Sequence, residues 1–191
     1  MNILRVEKLT DLKFLNMFRI DYSDSAGRHK TWQLATRRKT PKCATGNFDP
    51  PDAVVIVPFH RQRQKVVVTR EYRVPLADYE YGFPAGLVDP GETVEAAARR
   101  ELKEETGLTV TRFVKIGPPV YSSAGMTDES VAMVYVECAG EPSTRGTQGS
   151  EVIEVRLVDA SELDRLCRDP SLKFDAKAWL VLTAYVARGE F

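Results

Sequence analysis

Gly86-Leu87-Val88-Asp89-Pro90-Gly91-Glu92-Thr93-Val94-Glu95-Ala96-Ala97-Ala98-Arg99-Arg100-Glu101-Leu102-Lys103-Glu104-Glu105-Thr106-Gly107-Leu108 reads as a loop that runs into a two-sided helix. Asp89-Pro90-Gly91 is a turn. Thr93 offers a side-chain oxygen suited to capping a helix start, and Gly107 is the residue expected just past its end. The pattern predicts a helix over Thr93 to Thr106. Val94, Ala97, Ala98 and Leu102 form its apolar stripe. Glu101, Glu104 and Glu105, at i, i+3 and i+4, put three carboxylates on one face, where like charges repel by a few tenths of a kcal/mol per pair, roughly. A cation between them reverses that sign. Carboxylate oxygens without His or Cys select hard ions, so Mg²⁺ or Mn²⁺ is the expected cofactor. Small residues at Ala85-Gly86 let a backbone carbonyl approach the same ion. Arg100 and Glu92 can pair across loop and helix. A solvated charged helix face is the plainer reading of an isolated Glu-x-x-Glu-Glu.

Outward from this segment, the C-terminal side reads as strands at about Arg112 to Ile116, Val131 to Cys138 and Val152 to Val158. Two helices follow, one after Ser161 and one from about Phe174 to Arg188. On the N-terminal side, Ala53-Val54-Val55-Ile56-Val57 and Val66-Val67-Val68-Thr69 are buried-strand runs forming a hairpin. Further back, Phe18, Ile20 and Tyr22 alternate with Arg19 and Asp21, a strand pattern, with Thr31 to Leu34 as the return strand. A loop from Pro41 to Pro51 separates the two parts. The division is an N-terminal β appendage over 1–50 and a main domain over 51–191. Strands, helix, strands, helices in that order predict an α/β (α+β) sandwich around a mixed sheet.

The 191 residues carry 27 basic and 27 acidic side chains, so charge balance argues against nucleic acid or anionic membrane partners. The longest apolar stretch, Leu180 to Ala187, is too short to span a bilayer. Cys43, Cys138 and Cys167 are widely spaced and read as reduced thiols of a cytoplasmic protein. His29 and His60 are the only imidazoles. Both sit beside polar turns and are expected to be solvent-exposed, which leaves catalysis to carboxylates.

Gly86, Glu92 and the run Arg100-Glu101-Leu102-Lys103-Glu104-Glu105-Thr106-Gly107-Leu108 together match the Nudix box. The chain thus resembles a Nudix hydrolase, which acts on a nucleoside diphosphate linked to another group. The resemblance implies an α/β/α sandwich. It makes Glu101 and Glu105 the principal metal ligands, with Glu104 helping and the carbonyl of Ala85 or Gly86 completing the shell. Glu92, Arg100 and Gly107 would then be structural members of the motif. Outside the box, most of residues 50–190 resembles the ADP-ribose pyrophosphatase branch. Glu71-Tyr72-Arg73 is similar to that branch's segment whose arginine holds substrate phosphate, and a guanidinium fork suits a phosphate oxygen pair. The appendage is similar to one that exchanges across a homodimer and helps build an adenosine pocket. Trp32 is read there either as stacking on a base or as an interface or core tryptophan.

Ser122-Ser123-Ala124-Gly125-Met126-Thr127-Asp128-Glu129 aligns with a substrate loop that reads Ser-Pro-Gly in the ADP-ribose enzymes, with Ala124 at the proline position. Gly125, Met126 and Glu129 are the substrate-binding residues it implies. In the loop before the last strand, Glu151 is expected to be the general base or an extra metal ligand, with Glu129 in reserve and Gly149 where relatives often have a second acid. The activity implied is Mg²⁺-dependent hydrolysis of ADP-ribose to AMP and ribose 5-phosphate. The alternatives are a pyrophosphatase for GDP-mannose or UDP-glucose and a non-catalytic nucleotide sensor.

Overall fold

The computed structural model describes residues 1–146 and 152–189. Its elements begin with strands β1 (Asn2–Lys8), β2 (Asn16–Ser23) and β3 (His29–Thr36), then the one-turn helix α1 (Lys42–Thr45). The hairpin β4 (Ala53–His60) and β5 (Lys65–Arg73) leads through a 3₁₀ turn at Val74–Leu76 to β6 (Asp78–Gly82) and β7 (Ala85–Leu87). Helix α2 (Val94–Thr106) precedes β8 (Thr109–Tyr121), β9 (Ser130–Ala139) and β10 (Ile153–Val158). Helix α3 (Ala160–Arg168), β11 (Lys173–Phe174) and helix α4 (Ala176–Arg188) close the described chain. Two compact units emerge, one of Met1–Ala53 with Pro118–Ala132, the other of Val54–Gly117 with Met133–Phe191.

The first unit is built on a three-stranded antiparallel sheet, β1-β2-β3. Its apolar positions recur every second residue, so Phe18, Ile20 and Leu34 share one face and bury each other, with Val6 and Cys43 packed alongside. Trp32 pairs with Ile20 and therefore lies on that same face, at the sheet's edge, about half exposed.

The second unit contains a mixed sheet in the order β11-β6-β5-β4-β9-β8, with β10 also on β5 and β7 also on β4. Pairs such as β5–β6 are antiparallel, whereas β11 runs parallel to β6. Val66, Val67 and Val68 of β5 are fully buried. A continuous apolar run of this kind belongs to a strand covered on both faces. The structure adds strands at β1, β6, β7 and β11, short or weakly apolar segments that the sequence reading does not mark, and it extends the strand expected at Arg112 to Ile116 in both directions.

Helix α2 starts where expected. Thr93 Oγ1 accepts the Ala96 N–H at 3.2 Å, and Gly107 stops the helix with φ 72°. Ala97, Ala98 and Leu102 are fully buried, and α2 packs against β7 and β10. Burying a leucine stabilises by about 1.5–3 kcal/mol, so Leu102 is a principal anchor of the carboxylate-bearing helix. Gly107 is required a second time, because a Cβ there would stand 2.8 Å from Ser143 Cβ. Asp175 caps α4 by accepting from the Lys177 and Ala178 N–H groups, and α4 buries Ala178, Leu182 and Tyr185.

The expectation that both histidines are exposed holds for His29 and fails for His60, which is 1% exposed. His60 is the last residue of β4 and keeps that strand's inward-facing register. Its Nε2–H donates to the Gly140 carbonyl at 2.9 Å, and its Nδ1 accepts the Arg63 N–H at 3.3 Å. The polar turn that suggested exposure in fact folds back over the ring and supplies one of its partners.

Candidate active site

Strand β7 packs against the second half of α2, and the loop Val88–Thr93 joins the two in the chain. That loop is closed by the Glu92 N–H donating to the Asp89 carbonyl at 2.9 Å and by the Asp89 N–H donating to Glu92 Oε2 at 3.1 Å. Arg100 then ties loop to helix. Its Nε donates to Glu92 Oε1 at 3.0 Å and its Nη2 to Glu92 Oε2 at 2.8 Å, a two-pronged contact. Nη2 also reaches the Leu87 carbonyl at 3.0 Å. The hydrogen bonds from Arg100 hold the Glu92 carboxyl below its ordinary value, and those to Glu92 and Glu101 raise the Arg100 pKa further above neutrality. Both groups are charged throughout the physiological range.

The three glutamates of α2 do not share one environment. Glu104 and Glu105 are consecutive and so project about 100° apart. Glu105 is 9% exposed, and its Oε2 accepts the Ala85 N–H at 3.3 Å. The Glu101 side chain is 13% exposed and sits over Gly86, whereas that of Glu104 is 47% exposed. Arg100 Nη1 lies 2.6 Å from Glu101 Oε1 and 3.6 Å from Glu104 Oε2, so a guanidinium is the cation nearest both carboxylates. Among the described residues, no three acids, imidazoles or thiols are drawn together tightly enough to form a metal cage.

The donors nevertheless suit a hard divalent ion. All are oxygens, and two of the carboxylates are largely withdrawn from solvent. A Cβ on Gly86 would lie 1.9 Å from Glu101 Oε1 and 2.0 Å from its Cδ. The bare Cα therefore leaves room for a carboxylate directly against the backbone whose carbonyls are the remaining donors.

Arg73, at the end of β5, donates through Nη1 to Glu71 Oε1 at 2.8 Å and through Nε to Glu80 Oε2 at 3.3 Å. Glu71 and Glu80 are directly opposite each other in the β5–β6 ladder, and two like charges so placed repel unless a cation bridges them. Arg73 is that cation. Glu80 was invisible as its partner in the sequence, because cross-strand register decides the contact.

The structure thus gathers Ala85, Gly86, Glu92, Arg100, Glu101, Glu104 and Glu105 into one region of the second unit, with Gly107 ending the same helix and Arg73 on β5. Trp32, Gly125, Met126 and Glu129 belong to the first unit. Met126 is strongly exposed, and nothing lies within 4 Å of where a Gly125 Cβ would be. Arg37 Nε is 3.5 Å from Glu129 Oε2. Glu151 and Gly149 fall outside the described residues.

The NUDIX domain family model matches residues 49–180, which include the whole of this carboxylate region. The chain belongs to the Nudix family. Among Nudix relatives, "Putative nudix hydrolase 2" of Caenorhabditis elegans is 32% identical over 158 residues, 79% of this chain and 69% of that protein. "ADP compounds hydrolase NudE" of Escherichia coli is 30% identical over 190 residues, covering 93% and 92%. "ADP-sugar pyrophosphatase" of Mus musculus is 29% identical over 185 residues, covering 91% and 82%. The crystal structure of an ADP compounds hydrolase superimposes with a TM-score of 0.73 at 23% identity, covering 97% of this chain and 94% of that one. That likeness bears on the fold. Of the described helices, none is long and apolar enough to cross a membrane.

Proposed function

We propose that this Nudix hydrolase cleaves the pyrophosphate bond of ADP-ribose or a related nucleoside diphosphate sugar. The observation that carries the reading is the apposition of Gly86 to the Glu101 carboxylate beside the buried Glu105, in a family whose relatives are named for ADP-sugar and ADP-compound hydrolysis. Glu101, Glu104 and Glu105, with the carbonyl of Ala85 or Gly86, are the groups that would hold Mg²⁺ or Mn²⁺. When bound, such an ion neutralises the diphosphate oxygens against which a nucleophile must approach.

The chain's own residues do the rest. The Glu92–Arg100 pair fixes the loop and helix so that the carboxylates keep their places. Arg73 offers its guanidinium to a substrate phosphate. Trp32 stacks on the base, and Gly125, Met126 and Glu129 line the substrate. Water adds to phosphorus and the bond to the bridging oxygen breaks, giving AMP and ribose 5-phosphate from ADP-ribose. The proton lost by that water passes to a carboxylate, Glu151 or Glu129.

The division into an appendage over 1–50 and a Nudix domain over 51–191 is part of the same proposal. So is a homodimer formed through the appendage, which exposes Ile3, Leu4, Phe14, Met17 and Trp32. The free thiols Cys43, Cys138 and Cys167 support a cytoplasmic setting. Ala124 favours a second reading, in which the preferred substrate is another sugar nucleotide, because proline's fixed φ is absent from the substrate loop.

The test is a hydrolysis panel in Mg²⁺ with ADP-ribose, GDP-mannose, UDP-glucose and nucleoside triphosphates, read as phosphate released after phosphatase treatment. Strongest turnover of ADP-ribose supports the first reading. Strongest turnover of another sugar nucleotide replaces it with the second, and turnover of triphosphates alone refutes both.

A further inference from the structure

Among the described residues, Lys42 has the largest side chain that is fully buried. An ammonium withdrawn from water costs several kcal/mol, on the order of 3–5 if it is left without a partner, and an apolar residue in its place is often no less stable. Stability alone is therefore a poor reason for a lysine here. Its surroundings give another.

Lys42 Nζ is 2.6 Å from Asp52 Oδ2 and 2.5 Å from Ser130 Oγ. Asp52 also accepts the Ser130 N–H at 2.9 Å and Arg38 Nε at 2.7 Å. The backbone N–H of Lys42 donates to Asp128 Oδ2 at 2.7 Å. Nearby, the Ala35 N–H donates to the Met126 carbonyl at 2.8 Å, and Ala35 bridges Thr127 in parallel register. Arg37 faces Glu129. Each residue from Met126 to Ser130 is thus tied to the segment 35–52, and Glu129 sits between the two residues, Asp128 and Ser130, that carry the strongest ties. The loop tip is itself a turn, in which the Met126 and Thr127 N–H groups both donate to the Ser123 carbonyl at 2.9 Å. Ala124 carries none of proline's restriction on φ, and a Cβ on Gly125 would meet nothing within 4 Å.

We propose that Lys42, acting with Asp52 and Asp128, is a positioning residue for the substrate loop Ser122–Glu129. It docks this hydrogen-bonded turn, with Met126 and Glu129, on the segment 35–52, and so sets the affinity for the nucleoside diphosphate sugar. The inference rests on the proposed role of that loop in substrate binding.

The experiment is steady-state kinetics with ADP-ribose in Mg²⁺ on the full chain, comparing wild type with Lys42→Met, Asp128→Ala and Asp128→Asn, alongside melting curves. Lys42→Met and Asp128→Ala are expected to raise KM about tenfold, as the loss of a charge-assisted hydrogen bond would, with kcat within about twofold. Asp128→Asn keeps an acceptor oxygen and is expected to restore a KM near wild type, which a purely structural role would not require. If Lys42→Met fails to fold, the two Asp128 variants decide. Wild-type KM in Asp128→Ala, or a fall in kcat at unchanged KM, overturns the proposal while the enzyme reading stands. A wild-type protein that turns over no sugar nucleotide overturns the enzyme reading, and this inference with it.

Discussion

A methyl group on the Cα of Gly86 would stand 1.9 Å from Glu101 Oε1 and 2.5 Å from Oε2, closer than any real Cβ contact. The obstructing atoms are the far end of a flexible side chain, so the fold can relieve the clash by swinging the carboxylate away. Gly86→Ala is therefore expected to melt within a few degrees of wild type, roughly, while losing about 100-fold or more in kcat, because a misplacement near 1 Å is worth that much. Parallel melting and turnover measurements check it. A variant with wild-type kcat would mean that the Gly86 contact is structural only.

The Glu92–Arg100 contact has a defined pH response. Hydrogen bonds from Arg100 are the chief reason the Glu92 carboxyl titrates below its ordinary value of 4.5. A carboxylate whose folded pKa is depressed contributes stability above its unfolded pKa and loses it as pH falls through the folded one. The loop Val88–Thr93 is expected to stay docked from neutrality down to about pH 4.5 and to open only below that. In Glu92→Gln the acid limb of the unfolding curve should flatten, and an unchanged limb would contradict the pairing.

Asp52 responds in the same direction for a different balance of causes. Burial works to raise its pKa, but hydrogen bonds from Lys42, the Ser130 N–H and Arg38 outweigh it and leave the carboxyl below its ordinary 3.8. Asp52→Asn leaves Lys42 buried without its counter-charge, which costs on the order of 3 kcal/mol near pH 7. The deficit relative to wild type should begin to shrink as pH falls below about 3.8, where the unfolded chain's carboxyl takes up a proton, and should vanish below the depressed pKa of the folded carboxylate. Denaturant unfolding across pH measures this, and a pH-independent deficit would contradict the ion-pair account.

Local chemistry made the site's helix legible in the sequence. Thr93, Gly107, the apolar stripe through Leu102 and the Glu92–Arg100 pair all depend on residues within one loop and one helix, and the structure places them as expected. The features that escaped the sequence depend on partners far along the chain. Lys42 lies in what reads as a polar loop, and its burial is explained only by Asp52 and by Ser130, 88 residues away. Glu80 meets Arg73 through strand register. Strand β6, Asp-Tyr-Glu-Tyr-Gly, has none of the valine-rich character of β5 because its residues are mostly half-buried. The divergence of Glu104 from Glu105 follows from helix geometry, but which of them turns inward depends on where Ala85 comes to lie.

His60 shows the same dependence. Its ring joins the end of β4 to Gly140 at the end of β9 and to its own turn at Arg63. His60→Ala removes both hydrogen bonds and leaves a cavity, so a loss of about 2–4 kcal/mol is expected. Turnover at a temperature where the variant is folded should match wild type. A selective loss of kcat at full folding would mean that the imidazole takes part in the chemistry.

The central claim is that the carboxylates of α2 beside Gly86 form a hydrolytic centre and do more than hold a nucleotide. Glu105→Gln tests it most directly, with ADP-ribose turnover in Mg²⁺ and ADP-ribose binding by calorimetry measured on the same preparations. The expected result is a fall in kcat of about 10³-fold, the scale of removing one charge-stabilising group, with binding within a fewfold of wild type. Undiminished turnover in Glu105→Gln, or a wild-type protein that binds ADP-ribose and never cleaves it, would contradict the account.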